Sequence, residues 1–338
     1  MKILYLIHTD WNWIKQRSQF LAENISDLDC DVTVIYKLSP RRVGLVKNGT
    51  AIKLFPCPFL PFRLKVYPFL FKCDVLLWSF FLRCLSFTYR YERIIITHPL
   101  LGDYVKGIDI PIIYDCHDDN SEFYPDGELK KLICEKHDYF LKSSDMRIFS
   151  SEYLQSKYSR KNTSALIRNG HSCSLDMIDG FNVRSSEFTK DSFEIFYFGT
   201  ISEWFDQELI IRIADELEFV KFTIIGPCDT STFRHDRVNY VGAMDHKDLM
   251  VFANNADAFI MPFLVNELIL GVDPVKIYEY LSFPVPVISV YYPELGHFEG
   301  HLKFYRSHDE AVEVVRCCSK QSGIIMEESD SRRQFLFR

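Results

Sequence analysis

The feature that most constrains this chain is a series of short, continuously apolar segments separated by helical stretches. In the first half these are KILYLIH (2–8), VTVIYK (32–37), RIIITH (93–98), PIIYDCH (111–117) and MRIFSS (146–151). The second half repeats the pattern with FEIFYFG (193–199), KFTIIG (221–226), NYVG (239–242), DAFIMPF (257–263) and PVPVISV (284–290). The segments are rich in β-branched residues and do not alternate strictly between apolar and polar. A strand with one wet face alternates, whereas a strand covered on both faces has no reason to. Helices such as FDQELIIRIADEL, with Leu209, Ile213 and Leu217 on one face, supply the cover. The pattern predicts an α/β protein with doubly wound parallel sheets.

A length of 338 residues suits two such domains. The expected break is the polar stretch at 168–192, which has two glycines and no strand or helix period, giving domains 1–170 and 171–338. Ligands of open α/β sheets bind at the carboxyl ends of the strands, so two domains facing across a cleft are expected to bind them there. Composition narrows the field further. With 47% hydrophobic and 25% charged residues the chain is neither disordered, nor a coiled-coil rod, nor collagen-like. A net charge of −7 opposes a broad nucleic-acid surface, so an anionic ligand needs a local cationic pocket.

The ten cysteines include no C-x-x-C pair, and we read them as free thiols of a cytoplasmic protein. The opening MKILYLIHTD turns polar too early for a signal peptide and reads as a first buried strand. Residues 73–89, CDVLLWSFFLRCLSFTY, are apolar nearly all round, but Arg83 in the middle opposes a membrane span. Two readings stay open: a helix buried within or between domains, or a helix lying on a membrane surface. Arg63, Lys65, Lys72, Arg83, Arg90 and Arg93 flank or punctuate the same aromatic region, as contact with anionic lipid requires.

Three stretches could carry chemistry. In DPVKIYEYLSFPVPVIS (273–289), Asp273 suits an N-cap and Pro274 a first helical position. Lys276 and Glu279 then share a helix face, where a lysine at a helix start suits a diphosphate and a carboxylate one turn on suits ribose hydroxyls. The same spacing also describes an ordinary surface ion pair. In FYFGTISEWFDQEL (196–209), a strand ends at Gly199, Thr200 and Glu203 fit a capping box, and Asp206 is a second candidate cap. In YDCHDDNSEF (114–123), a buried strand delivers His117, Asp118 and Asp119 to its carboxyl end. Histidine there can act as acid, base or hydrogen-bond partner, and loop capping is the plainer role of the aspartates. Gly226 and Gly242 each follow a strand and could bring backbone to a nucleobase. No G-x-x-x-x-G-K-S/T, G-x-G-x-x-G or G-x-S-x-G motif is present, which opposes P-loop, standard nicotinamide and α/β-hydrolase chemistry.

Taken in order, these stretches resemble the glycosyltransferases of the two-Rossmann-domain GT-B type, within the broad family 4 group that builds bacterial surface polysaccharides. WNWIKQRSQFLA (11–22) is similar to a first helix with an R-x-Q-x-L-A pattern, and LIRNG (166–170) to the domain crossover. FYFGTISEWFDQEL resembles a G-x-x-x-x-W-x-D signature through Gly199, Trp204 and Asp206. PVKIYEYLSFPVPVIS resembles P-x-K-x-x-E-Y-L-x-x-G-x-P-V-I. The resemblance implies that Glu279 binds the donor ribose, and that Lys276, with the backbone at Gly199 and Thr200, approaches the diphosphate. It places the base at Gly226 and at Gly242, Ala243 and Met244, His117 beside the donor sugar, and Asp118 or Asp119 toward the acceptor.

The implied activity is metal-independent and cofactor-free transfer of a sugar from a nucleotide-diphosphate donor, with retention of configuration. The expected acceptor is a saccharide, lipid-linked at the inner membrane face. A sugar-nucleotide epimerase and a non-catalytic glycan- or partner-binding protein are the alternatives. The sequence departs from the family at three points. Gly271 stands where a first glutamate belongs eight residues before Glu279, with Glu267 as the nearest substitute. No cation pair follows Gly199 over 201–206, and Phe283 and Pro284 replace the usual glycine turn. The tail at 332–338 resembles the start of a helix that crosses back to the first domain.

Overall fold

The computed structural model describes residues 1–12, 16–39, 52–159, 163–170 and 192–320. The chain forms two units, one of Met1–Arg168 with Gly271–Asp273 and the other of Asn169–Leu270 with Pro274–Arg338. Most of the polar break, at 171–191, and the tail at 332–338 lie outside the described residues.

The first unit is built on a parallel sheet of seven strands: β1 (Lys2–Ile7), β2 (Asp31–Lys37), β3 (Lys53–Cys57), β4 (Arg93–Ile96), β5 (Ile112–Cys116), β6 (Met146–Phe149) and β7 (Ser164–Leu166). Their order is β3-β2-β1-β4-β5-β6-β7. Strand β1 shows why the sequence did not alternate. Leu4 and Leu6 pack with Ile94, Ile96, Tyr114 and Phe149 in one core, while Ile3, Tyr5 and Ile7 pack with Val32, Val34 and Ile95 in another. Both faces of the sheet are dry past the exposed Lys2, so the residues from Ile3 to Ile7 are all apolar.

The second unit repeats the plan with β8 (Phe193–Phe198), β9 (Val220–Ile225), β10 (Val238–Gly242), β11 (Ala258–Met261), β12 (Val287–Val290) and β13 (Lys303–Tyr305), in the order β10-β9-β8-β11-β12-β13. In both sheets the chain winds outward from the first strand, returns, and continues on its other side. This creates a switch point between β1 and β4 in one sheet and between β8 and β11 in the other, and such points open crevices at the carboxyl ends.

Three local expectations are corrected. The helix after β8 is Gln207–Glu216, capped by Asp206, so Thr200 and Glu203 form no capping box. The helix of the DPVKIYEYL stretch is Val275–Leu281 with Pro274 as its N-cap. Asp273 is therefore not the cap; it is buried and belongs to the first unit. The apolar segment forms a longer helix, Pro68–Tyr89, in which only Phe71, Leu82 and Ser86 are buried, so it is not a core helix.

Candidate functional site

At the carboxyl edge of the second sheet, three adjacent strands end in glycine. Gly226 N donates to Gly242 O at 2.8 Å, and Gly199 N donates to Ile225 O at 2.9 Å. Gly226 has φ +144°, and a Cβ on it would lie 1.8 Å from the Gly199 carbonyl oxygen. No side chain fits there, so the backbone of β8 and β9 stays bare at this edge.

Lys276 and Glu279 stand beside it. Glu279 is fully buried, and its Oε2 accepts from Lys276 Nζ at 2.5 Å. Lys276 Nζ lies 5.5 Å from the ring centre of Phe198, the residue before Gly199. The pair is thus not an exposed surface bridge; a buried carboxylate holds a lysine over the end of β8. Tyr280 fixes this arrangement. Its hydroxyl donates to Phe198 O and accepts from Phe198 N, each at 3.0 Å, and its ring stacks on Phe259 at 4.7 Å. The sequence reading missed Tyr280, although it stands next to Glu279 in the motif and a buried tyrosine hydroxyl requires partners.

The other residues expected here divide. The Thr200 carbonyl accepts from the Tyr197 hydroxyl at 2.8 Å, which shapes the turn after Gly199. Trp204 is half-buried, and its carbonyl accepts from Leu264 N. Ala243 is exposed and Met244 half-buried just past Gly242. Asp206 is engaged inside the unit: Oδ1 accepts from Leu209 N at 2.9 Å, and Oδ2 pairs with His308 Nε2 at 2.8 Å. Gly271 packs in the first unit, where a Cβ would meet Leu154 Cδ2 at 3.1 Å. The missing glutamate of the family pattern thus coincides with a position that has little room for one.

In the first unit, β5 delivers His117, Asp118 and Asp119 as expected, and the three differ. His117 Nε2 lies 3.5 Å from Asp118 Oδ2, and burial pushes the Asp118 carboxyl up. Asp119 is buried and accepts from the Tyr158 hydroxyl and Ser121 Oγ, both at 2.7 Å, and from Lys157 Nζ at 3.0 Å. Burial opposes its charge, yet these hydrogen bonds together hold the carboxyl below its ordinary range. Asp119 anchors a loop; Asp118 and His117 are the pair left half-buried at the strand end.

Sequence reasoning did not place His8 and His98 here. The sheet order puts β1 and β4 side by side although their residues are far apart in the chain. The His8 ring lies 5.0 Å from His98 and 6.0 Å from His117, and His8 Nδ1 is 3.0 Å from Thr97 Oγ1. The only signal was a histidine at the last position of two predicted strands. Burial, then His117 and Lys37, lower the His8 pKa to about 3. His98, packed against it, is likewise held below the usual histidine range. The unfolded chain therefore takes up protons first as pH falls below about 6.5, and the native state loses stability through the window down to about 3. We expect His8→Asn to flatten this acid limb by about 3 kcal/mol, read from urea midpoints at pH 7, 5.5 and 4.5. Parallel limbs for variant and parent would show that His8 does not carry the effect.

Behind this edge Arg17 and Asp115 form a buried pair. Arg17 Nε and Nη2 donate to Asp115 Oδ1 at 3.1 and 3.0 Å, and Nη1 donates to the Ile167 carbonyl at 2.8 Å. The Gln19 side chain spans Gln16 N and the Trp11 carbonyl. The R-x-Q pattern is thus scaffold beneath the strand ends. Among the described residues, no group of three or more His, Cys, Asp or Glu side chains is arranged to hold a metal ion.

Comparison with solved structures gives neighbours over the whole chain. A sucrose-phosphate synthase from Thermosynechococcus elongatus superposes with a TM-score of 0.74 at 15% identity, over 100% of this chain and 95% of that one. HepE from Anabaena, in complex with UDP and glucose, gives 0.66 at 14% identity, over 99% and 94%. The lipopolysaccharide outer core galactosyltransferase WaaB gives 0.61 at 13% identity, over 100% and 97%. The fold is GT-B. A search with protein-family models gives no match, and neither does one against curated protein sequences. In GT-B terms, the Lys276–Glu279 pair and the glycine edge belong to the second Rossmann-like sheet, and the His8, His98 and His117 rings to the first.

Proposed function

We propose that this chain is a glycosyltransferase that moves a sugar from a nucleoside-diphosphate donor to a saccharide acceptor without a metal or other cofactor. The observation that carries the reading is the Lys276–Glu279 pair held over Phe198, at the strand end that runs into Gly199, in a GT-B fold. A nucleoside diphosphate presents two features, a charged diphosphate and vicinal ribose hydroxyls. Lys276 Nζ supplies the charge, and Glu279 accepts the hydroxyls. As the bond from sugar to diphosphate breaks, negative charge grows on the leaving oxygen, and a fixed cation stabilises that state more than the ground state. Asp118 and His117, rather than Asp119, serve the acceptor side, because Asp119 already accepts three hydrogen bonds within the loop. Retention of configuration belongs to the same proposal.

A thermal-shift panel of UDP, GDP, ADP, dTDP and CMP, without metal and with magnesium, tests it. One nucleotide at one hundred times its dissociation constant adds about 2.7 kcal/mol of stability. A shift with a diphosphate that magnesium leaves unchanged is the expected result. Silence across the panel would favour the non-catalytic reading.

The acceptor is proposed to be lipid-linked, with the protein held peripherally on an anionic membrane face. No described helix is long and apolar enough to cross a membrane. The helix Pro68–Tyr89 is nevertheless about 33 Å long and carries an exposed apolar stripe. Phe69, Leu76, Phe80 and Phe87 are 76%, 63%, 71% and 87% exposed, and their spacing places them on one line along the helix. Lys72 and Arg83 flank the stripe, with Arg63 and Arg90 at its ends, all exposed. Asp74 is the one carboxylate of the helix, and it faces Lys65 in the interior. Exposed aromatics with basic neighbours on a protein of net charge −7 suit an anionic lipid surface. We expect sedimentation with phosphatidylglycerol-containing vesicles at low salt that weakens with added salt, and about tenfold weaker binding for Phe80→Ser with Phe87→Ser. Retention in the supernatant at low salt, or salt-independent self-association through this helix, would overturn the membrane contact.

A further inference from the structure

Three residues from the second half of the chain depart from their own unit. Gly271–Asp273 pack with the first unit, while Leu270 before them and Pro274 after them belong to the second. The residue types account for this. Gly271 is buried, and a Cβ on it would stand 3.1 Å from Leu154 Cδ2 and 3.4 Å from Tyr153 Cδ1. Leu154 is a fully buried member of the core that holds Leu101, Cys116 and Phe149. A larger side chain at 271 would therefore have to displace a packed leucine. The Gly271 carbonyl accepts from Ser151 Oγ at 2.8 Å, and Ser151 Oγ itself accepts from Leu154 N at 3.2 Å as the N-cap of the helix Glu152–Tyr158. A hydroxyl can donate and accept together, so both bonds form at once and fix the serine rotamer. Asp273 is buried in the same unit. Burial opposes the charge of Arg17, and Asp115, Tyr5 and Asp273 in turn favour it.

The helix that carries Lys276 and Glu279 begins directly after this segment. It is Val275–Leu281, with Pro274 as its N-cap. Seven residues are too few for a helix that stands by itself, so its position is set by what holds its ends. One hold is Tyr280, whose hydroxyl bonds the backbone of Phe198. The other is the link through Pro274 to Asp273. The proline ring fixes φ there, which leaves little slack between the buried segment and the first helical turn, where Lys276 stands. A shift of about 1 Å in a positioned group costs on the order of 100-fold in rate.

We propose that Gly271–Asp273 is a strap by which the first unit holds the start of this helix, and that Gly271 and Ser151 are positioning residues for Lys276 and Glu279. The consequence for nucleotide binding rests on the glycosyltransferase reading, whereas the hold on the helix stands on its own. Neither residue needs to touch a substrate to act in this way.

Two measurements on the full chain test it: hydrogen exchange of the amides at 275–282, and calorimetric titration with UDP, GDP, ADP and dTDP. Gly271→Val is the informative variant, and Leu154→Ala in the same chain is its rescue. Valine adds as many carbons to glycine as the change from leucine to alanine removes, so the pair conserves volume. We expect Gly271→Val to speed exchange in the helix about tenfold and to weaken nucleotide binding about tenfold, and the double variant to recover both. Ser151→Ala should shift both readings in the same direction, whereas Ser151→Thr, which keeps the hydroxyl, should match the parent. Val105→Ala, on another segment of the same core, reports general loosening and should leave both readings unchanged. Parent-like exchange in both Gly271→Val and Ser151→Ala, or an equal change in Val105→Ala, would overturn the strap. Faster exchange with parent nucleotide affinity would also overturn it, because the segment would then hold the helix without positioning the pair. A parent that binds none of the four nucleotides, with faster exchange in Gly271→Val, would defeat the donor reading and leave the strap standing.

Discussion

Arg17→Met should lower the stability of the N-terminal unit by about 3–5 kcal/mol. The guanidinium is buried and makes two kinds of bond, to the Asp115 carboxylate and to the Ile167 carbonyl. Methionine fills much of the volume but supplies neither charge nor donor. Asp115 would stay fully buried, with the Tyr5 hydroxyl 3.4 Å and His117 Nδ1 3.7 Å away as its nearest remaining partners among the described residues. An uncompensated buried carboxylate is far more costly than a lost surface contact, and the orphaned Ile167 carbonyl adds to it. Asp115→Asn in the Arg17→Met background should recover part of the loss, because it removes the stranded charge. Urea unfolding followed by circular dichroism measures all three proteins. A loss below about 1 kcal/mol for Arg17→Met would mean that water reaches the pair and screens it. Because Asp115 lies on β5 just before His117, the same variant should also disturb the first-sheet histidines.

The fold was legible because its physics repeats. Nine of the ten apolar segments mark strands that the sheets bury; the tenth is β10, an edge strand left half-buried or exposed along its length. The three strands left unassigned are all at sheet edges: β3, with Pro56 in it, and the three-residue β7 and β13. An edge strand needs neither length nor two apolar faces, and it tolerates proline, so its sequence carries little signal. The proposed donor site was half legible. Lys276, Glu279 and the glycines stand close together in recognisable motifs, and the structure adds Tyr280, whose role depends on a strand 82 residues away. The first-sheet cluster was nearly illegible. His8, His98 and His117 meet only because β4 crosses to the far side of β1, a consequence of winding order that no local pattern records. Burial also decided cases that spacing left open. It made the Lys276–Glu279 spacing an interior pair, turned Asp119 into a loop anchor, and left the Pro68–Tyr89 helix with its aromatic stripe in solvent.

Glu279→Gln should cost about 100-fold in nucleotide affinity and at least as much in turnover, while the protein keeps its fold. Glutamine preserves the shape of the buried side chain and the packing around Tyr280, so unfolding should change little. What it removes is the charge. A carboxylate that accepts two ribose hydroxyls makes charge-assisted hydrogen bonds, each worth about 1.5–3 kcal/mol, and losing about 2.7 kcal/mol corresponds to a factor of 100. The variant also releases Lys276 from the 2.5 Å contact that holds it over the end of β8. A lysine free to rotate stabilises a departing diphosphate less well than a fixed one, so turnover should fall beyond the affinity loss, visible as a lower kcat at saturating donor. Lys276→Met should lower kcat without the same loss of nucleoside affinity, because the ribose contact survives. The contrast matters more than either loss alone. If both variants lost affinity equally and kcat stayed unchanged, the pair would act only in binding. If Glu279→Gln kept nucleotide affinity and turnover, the pair would be a structural ion pair of the second sheet, and the donor site would lie elsewhere on the GT-B fold. If no turnover existed to lose, yet glycan or partner binding survived in both variants, the non-catalytic reading would replace the transferase one.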